Sequence, residues 1–323
     1  MTMITRRLAS SRWWIGLVIL LLVGFPFVSD SRGALILMTQ IFIYAVFAMS
    51  YDILLGYTGI ISFGHAMFFG IGAYTTAIFL HRWDHSLLSF LVSLLAVLVL
   101  TGIVSYLIGV MTLRLKSHFY AMLTLAIAGL FLVLAEKWRD VTKGSDGFTF
   151  YIPDLLKDRT SLYFVALAFM ILMFFLLKRF TDSPTGKVLQ AIRENEQRTE
   201  SLGYQILHYK IIASMVAGLA AGLSGSMYAI TLRFVNTAVF GTNVTLDALL
   251  MTIIGGVGTL FGSILGSALI LLVHAGLTDL AKIHWIFERW MIFFGAIYIL
   301  AVMFFPQGIV GMFRQWRAKW SKG

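Results

Sequence analysis

Apolar and polar positions in this chain segregate into long blocks rather than alternating at short period. Apolar runs fall near residues 13–29, 34–55, 59–80, 86–111, 118–136, 161–177, 211–232, 246–275 and 286–305. Most approach the ~20 residues a helix needs to cross a hydrocarbon layer about 30 Å thick. The pattern predicts an all-α, polytopic helical bundle. The run 246–275 is too long for one crossing, because at ~1.5 Å per residue it would extend roughly 45 Å. It also carries Gly255, Gly256, Gly258, Gly262 and Gly266. It reads as a short helix, a glycine turn and a second helix returning, which gives about ten membrane segments, some of half length. A second glycine-interrupted stretch, LLGYTGIISFGHAMFFGIGAY (54–74), holds Gly56, Gly59, Gly64, Gly70 and Gly72. Two broken segments in the two halves fit an internal duplication with half-helices beside a transport path. Close helix packing through small residues accounts for the same glycines without a path. The path reading brings Gly59, Ser62, Gly64 and His65 against Gly255, Gly256 and Gly258.

One stretch breaks the apolar pattern. LQAIRENEQRTESLGY (189–204) contains Arg193, Glu194, Asn195, Glu196, Gln197, Arg198 and Glu200. Ser183-Pro184 is a helix start, a hydroxyl cap followed by proline at the first helical position. Gly203 is a stop. Leu189, Ile192, Thr199 and Leu202 share one face at helical spacing, and Asn195 offers a cap that would split the segment in two. Charges of both signs around a narrow apolar stripe suit a protein groove better than a lipid surface, where Lys and Arg alone would be expected. A solvated linker between spans is the plainer alternative.

Composition agrees with the block pattern. Of 323 residues, 59% are hydrophobic and 12% charged, about half the charged share of a soluble domain; the mean hydropathy is +0.87. With no cysteine, disulfides and thiolate metal sites are excluded. The net charge of +10 is explained by orientation in a membrane rather than by nucleic acid. Let the chain start inside, cross at each run and turn back within 246–275. The inner side then collects Arg6, Arg7, Arg12, Arg114, Lys116, the basic residues of 178–210, and Arg314, Arg317, Lys319 and Lys322. That is 15 of the 25 basic residues, against five acids: Asp52, Asp182, Glu194, Glu196 and Glu200. The outer side balances, so the whole net charge lies inside, as basic-loop orientation requires. Both termini and residues 178–210 are thereby expected in the cytoplasm, with 137–160 and 276–288 outside. The basic N-terminus and the apolar run after it resemble a signal peptide, but no small-x-small cleavage site follows clearly, and the run is read as a retained first span.

Candidate chemistry is sparse. Gly186-Lys187 is followed by Val188, and position 181 is threonine, so no phosphate loop is present. No metal-ligand spacing, cofactor fingerprint or acid–base–nucleophile set occurs, and no catalytic residue is assigned; Asp52, Ser62 and His65 are close in sequence without a base-orienting pattern. Ion-driven carriers keep buried carboxylates or histidines as relays. Here the spans are nearly free of them, so energy for uphill transport would come from another subunit.

Five motifs in order, GYTGIISFGHAMFFGIGAYTTA, RLKSHFYAMLTLA, KGSDGF, GKVLQAIRENEQRTESLGY and IGGVGTLFGSILGSA, resemble the LivM-type permeases of branched-chain amino acid ABC importers over roughly residues 34 to 311. The resemblance implies one transmembrane permease domain in a bacterial inner membrane, paired with a second, related permease. Two cytoplasmic ATPase subunits and a periplasmic solute-binding protein would complete the importer. It also implies that the cytoplasmic loop within 178–210, Gly186 to Gly203, docks on the ATPase. Lys187, Leu189, Ile192, Arg193, Glu194, Asn195, Glu196, Arg198, Glu200 and Gly203 would then form the coupling element. The wider importer consensus has Glu-Ala-Ala before the glycine, which Thr199-Glu200-Ser201-Leu202-Gly203 follows only loosely. Lys143 and Asp146, in the outer KGSDGF loop, are expected to meet the binding protein. Relatives of this kind are associated with leucine, isoleucine and valine, but also with urea, amides and other amino acids. A stand-alone channel for small solutes is the competing class; it would have no use for a mixed-charge helix, and the Asn-Pro-Ala turns of water channels are absent.

Overall fold

The structure, a computed structural model, describes residues 21–27, 31–115, 117–281, 295, 303 and 308–312. The basic ends (Arg6, Arg7, Arg12; Arg314, Arg317, Lys319, Lys322), nearly all of the run 286–305, most of the loop 276–288 and most of the first span lie outside the described residues.

Helix α1 (Arg32–Asp52) passes directly into a π-helical turn, Ile53–Thr58. Helices α2 (His65–Arg82), α3 (Leu87–Thr112) and α4 (Ser117–Lys137) follow. A loop then holds the short helix α5 (Arg139–Thr142) and strand β1 (Phe148–Thr149). The long helix α6 (Arg159–Asp182) leads to two short polar helices, α7 (Pro184–Glu194) and α8 (Glu196–Ser201). Next come α9 (Ile206–Leu232), strand β2 (Phe234–Val235), α10 (Thr242–Gly255) and α11 (Leu260–Ala281). Six described helices are long and apolar enough to cross a membrane, and α10 is a shorter apolar one. The expected broken segment is therefore present, with α10 and α11 packed together as a hairpin.

Helix α3 shows how the sequence selects which face turns inward. It has no charge, and Leu88, Leu91, Leu95, Val99 and Ile103 stay exposed. The buried stripe is Ser93, Val97, Thr101, Ser105 and Thr112. In lipid, large apolar side chains gain nothing by leaving the surface, whereas small residues allow close approach. The inward hydroxyls donate to their own helix: Ser93 to the Phe90 carbonyl (2.7 Å), Thr101 to Val97 (2.6 Å) and Thr112 to Ile108 (2.7 Å), so none of these is stranded away from water.

Helices α2 and α9 meet in the same way. A Cβ at Gly72 would overlap the Gly222 carbonyl, and one at Gly225 would overlap the Phe69 carbonyl. In α1, every residue from Ala45 to Asp52 is buried, because α6, α9, α10 and α11 surround it. The apolar run 59–80 is helical over only part of its length. Residues 59–64 are not helical; α2 starts only at His65 and is buried along most of its length. It is a core helix, running from the Arg193 end of the bundle to the strand-tied loop, where His81 meets Phe148.

Strands β1 and β2 pair antiparallel, Phe148 with Val235 and Thr149 with Phe234. They tie the loop after α4 to the end of α9. The helices α7 and α8 lie at the opposite end, where α6 finishes, α9 begins and the α10–α11 turn arrives.

Candidate functional site

Ser183 starts α7 as its residue type predicts. Its Oγ accepts from the Gly186 N–H (3.3 Å), and Pro184 fills the first helical position. The helix ends at Glu194 because Asn195 turns extended (φ −158°, ψ 103°) and caps α8, its Oδ1 accepting from the Arg198 N–H (2.9 Å). The charged stretch is therefore two helices with a bend. Gly203 closes it with φ +90°, its N–H donating to the Glu200 carbonyl (2.8 Å).

The apolar stripe expected to grip a partner is overturned. Leu189 is 0% and Ile192 3% exposed, packed in the chain's own core, whereas Leu202 is 71% exposed. The bend at Asn195 removes Leu202 from the stripe. Leu189 and Ile192 anchor α7 to the bundle and are not free to meet another subunit. The exposed surface is polar: Lys187, Arg193, Glu194, Asn195, Glu196, Arg198 and Glu200, with Gly203 and Leu202 beside them. Glu196 pairs with Lys210 of α9 at 2.5 Å, which pins α8 to the next span. Glu196 and Glu200 also line an open depression of about 630 Å³ with Leu113, Arg114 and His208.

Behind this surface lies a junction. The Arg193 guanidinium donates through Nη1 to the Gly56 carbonyl, in the π-helical turn that ends α1. A helix end leaves carbonyls without partners, and a cation is the natural cap. Asp52, one turn earlier and 0% exposed, accepts through Oδ1 from the Gly258 N–H (2.7 Å). Gly256 (φ +122°) and Gly258 (φ +81°) turn the chain between α10 and α11, in a region that β-carbons disfavour. A Cβ on Gly56 would strike both the Asp52 carboxylate and the Gly258 backbone. Thus α1, α7 and the hairpin turn meet at backbone contact.

The remaining path candidates sit deeper or to the side. Gly59 (φ +73°) lies against the Arg193 side chain. Ser62 is buried; its carbonyl accepts from the Tyr51 hydroxyl (3.0 Å) and its Oγ from the Gly64 N–H (3.3 Å). Gly64 packs on the Thr124 carbonyl. His65 is fully buried, with Nε2 2.8 Å from the Ser50 hydroxyl. That hydroxyl donates to the Phe47 carbonyl (2.6 Å), so the ring nitrogen is the donor and Nδ1 is left an acceptor without a partner among the described residues. With no acid bonded to the ring among the described residues and the serine proton already committed, the pair is not set up as a nucleophile and base. The Ala66 N–H donates to Thr245 Oγ1 on α10 (2.9 Å). The two glycine segments therefore touch at two levels, Asp52 and Gly56 against Gly258, and Ala66 against Thr245.

At the other end, Lys143 (φ +60°) and Asp146 are exposed on a tight loop. Its base is fixed by Thr142 Oγ1, which donates to the Ala135 carbonyl (2.5 Å), and by Gly147, which lies against the Val235 carbonyl. Among the described residues, no three His, Cys, Asp or Glu side chains cluster as a metal site.

Fold and junction together define a polytopic membrane protein in which a polar interhelical element is bonded to the turn ending α1, beside a glycine hairpin. Residues 33–302 match the family described as branched-chain amino acid transport system / permease component. The chain belongs to that family and is a multi-pass inner-membrane permease subunit that works with other transporter components. It is 26% identical to the high-affinity branched-chain amino acid transport system permease protein LivM of Escherichia coli strain K12 and 25% identical to that of Salmonella typhimurium strain LT2. Each alignment covers 92% of this chain and 74% of the relative. The probable branched-chain amino acid transport permease protein LivM of Methanocaldococcus jannaschii is 22% identical, over 83% of this chain and 90% of the relative. No solved structure matches the chain.

Proposed function

We propose that this chain lines the translocation pathway of an ATP-binding cassette importer for branched-chain or related amino acids. A second, related permease, two cytoplasmic ATPase subunits and a periplasmic binding protein complete the assembly. Family membership over 33–302 carries the reading. The structure adds a reason for the polar stretch. Helices α7 and α8 are tied to α6 and α9 at their ends, to α1 through Arg193 and to α9 through Glu196, while their outer face is charged and free. An element so anchored can carry a push from an ATPase into the spans. Residues 178–210 and both termini then face the cytoplasm, and Lys143 and Asp146 face the binding protein.

The test is co-expression with a candidate ATPase, second permease and binding protein, followed by reconstitution into liposomes. The expected result is copurification and ATP-dependent uptake of leucine, isoleucine or valine. Uptake of urea or a short amide instead would move the substrate class. Uptake by this chain alone, without ATP, would replace the reading with a channel.

A further inference from the structure

We propose that Asp52 and Arg193 form a two-position switch that carries motion of α7 into the α10–α11 hairpin turn. The inference rests on the coupling role proposed above and names the residues that perform it.

In the structure Arg193 bonds to the Gly56 carbonyl and Asp52 Oδ1 to the Gly258 N–H. Asp52 Oδ2 is buried and, among the described residues, has no hydrogen-bond partner. The guanidinium is near enough to act electrostatically on the carboxylate, yet the two are not paired; the described ion pairs are Lys157–Asp154 and Lys210–Glu196. Arg193 Nη1 also lies 3.0 Å from where a side chain on Gly258 would begin. Guanidinium, carboxylate, the Gly56 carbonyl and the Gly258 backbone thus share one small space.

A buried carboxylate oxygen with no partner is costly, and a bidentate arginine is its best available partner. Arg193 therefore has two acceptors within one side-chain movement: the carbonyl it now caps and the carboxylate beside it. In the second position the fork binds Asp52, the Gly56 carbonyl loses its cap, and the carboxylate's hold on Gly258 weakens. Two of the turn's residues, Gly256 and Gly258, carry no side chain, and the bond from Thr259 Oγ1 to the Gly256 carbonyl (2.6 Å) lies within the turn and moves with it. Arg193 sits on the exposed end of α7, where a docked ATPase would move it, whereas Asp52 is fixed in the core. Both are positioning residues, acting on the hairpin rather than on solute. A ligand or partner shifts such an equilibrium only by binding one arrangement better than the other, and the α7 surface is where that difference would be applied.

The test is a double-mutant cycle in the reconstituted complex, reading uptake and binding-protein-stimulated ATP hydrolysis. Asp52→Asn keeps an oxygen for the Gly258 N–H and removes the charge. Arg193→Gln removes the other partner, and Arg193→Lys keeps charge without the fork. The switch predicts that Asp52→Asn and Arg193→Gln each lower stimulated uptake about tenfold, that the double variant loses no more than either, and that Arg193→Lys recovers part. Independent losses that multiply in the double variant would show Arg193 to be a simple helix cap and overturn the switch. Normal uptake in either single variant would do the same. If Asp52→Asn does not assemble, the Lys and Gln substitutions of Arg193 decide by themselves: a lysine can still cap the Gly56 carbonyl but cannot fork onto Asp52, so full recovery by Lys favours the cap and incomplete recovery favours the switch. An unmodified complex without ATP-coupled uptake would instead strike the functional reading.

Discussion

Gly258 holds φ +81° with the Arg193 guanidinium and the Gly56 carbonyl against it. A β-carbon there meets two obstacles, since the left-handed region costs a non-glycine residue about 1–2 kcal/mol and the Arg193 guanidinium and the Gly56 carbonyl, 3.0 and 3.2 Å from it, would have to give way. Gly258→Ala should lower the thermal midpoint of the purified permease and abolish stimulated uptake. A variant with wild-type melting and uptake would show the turn to be adaptable. Gly276, where a Cβ would meet nothing within 4 Å, is the matched control, and Gly276→Ala should be neutral. The glycines of both broken segments stand out in the sequence, but the acid that holds the second one does not. Asp52 and Gly258 are 206 positions apart, and nothing local to Asp52 announces a backbone partner. The visible clues are an acid closing an apolar run and a glycine one turn later, which is where the π-helical turn forms.

At the scale of elements, the two-helix bend is the most legible feature and the buried stripe the least. Ser183-Pro184 and Asn195 act through bonds three residues away, so the sequence alone places both caps. Removing the second, Asn195→Ala, should cost about 1 kcal/mol and loosen α8; faster amide exchange over 196–201 would report it, and unchanged exchange would refute it. Which face of α7 is occupied depends on packing that periodicity does not reveal. An amphipathic stripe looks the same whether its own bundle or a partner covers it. Burial of Leu189 and Ile192 decides for the bundle. Leu189→Ala should therefore destabilise the isolated permease by about 2–5 kcal/mol, measurable as a fall in melting temperature without any partner present. Had the leucine served docking alone, the isolated chain would melt normally and only complex formation would suffer. Glu196 and Glu200 give the opposite signature, because they lie on the free face. Replacing both with lysine should leave the chain inserted, though without the half-buried Lys210–Glu196 pair, and should reduce ATPase association and stimulated hydrolysis.

The whole molecule has two ends of different character, and their assignment to the two sides of the membrane follows from charge. The end with α7 and α8 carries Lys178, Arg179, Lys187, Arg193, Arg198 and Lys210; the other carries the strand-tied loop with Lys143 and Asp146, where bases and acids balance. Short loops rich in lysine and arginine stay on the side from which the chain inserts, so the prediction is that the first end faces the cytoplasm. A single crossing, α6, joins the loop before it to the charged element after it, so the two assignments are interdependent: fixing one fixes the other. The chain has no cysteine, so single cysteines can be read without background. Leu202→Cys lies on the exposed turn after α8, and Ser145→Cys on the exposed loop before β1. In intact cells an impermeant maleimide should label residue 145 and reach residue 202 only after the inner membrane is breached. Labelling of both from outside would put the two ends on one membrane face and remove the basis for an ATPase at α7 and α8. Labelling of 202 alone would invert the molecule, placing the charged element with the binding protein and Lys143 with the ATPase.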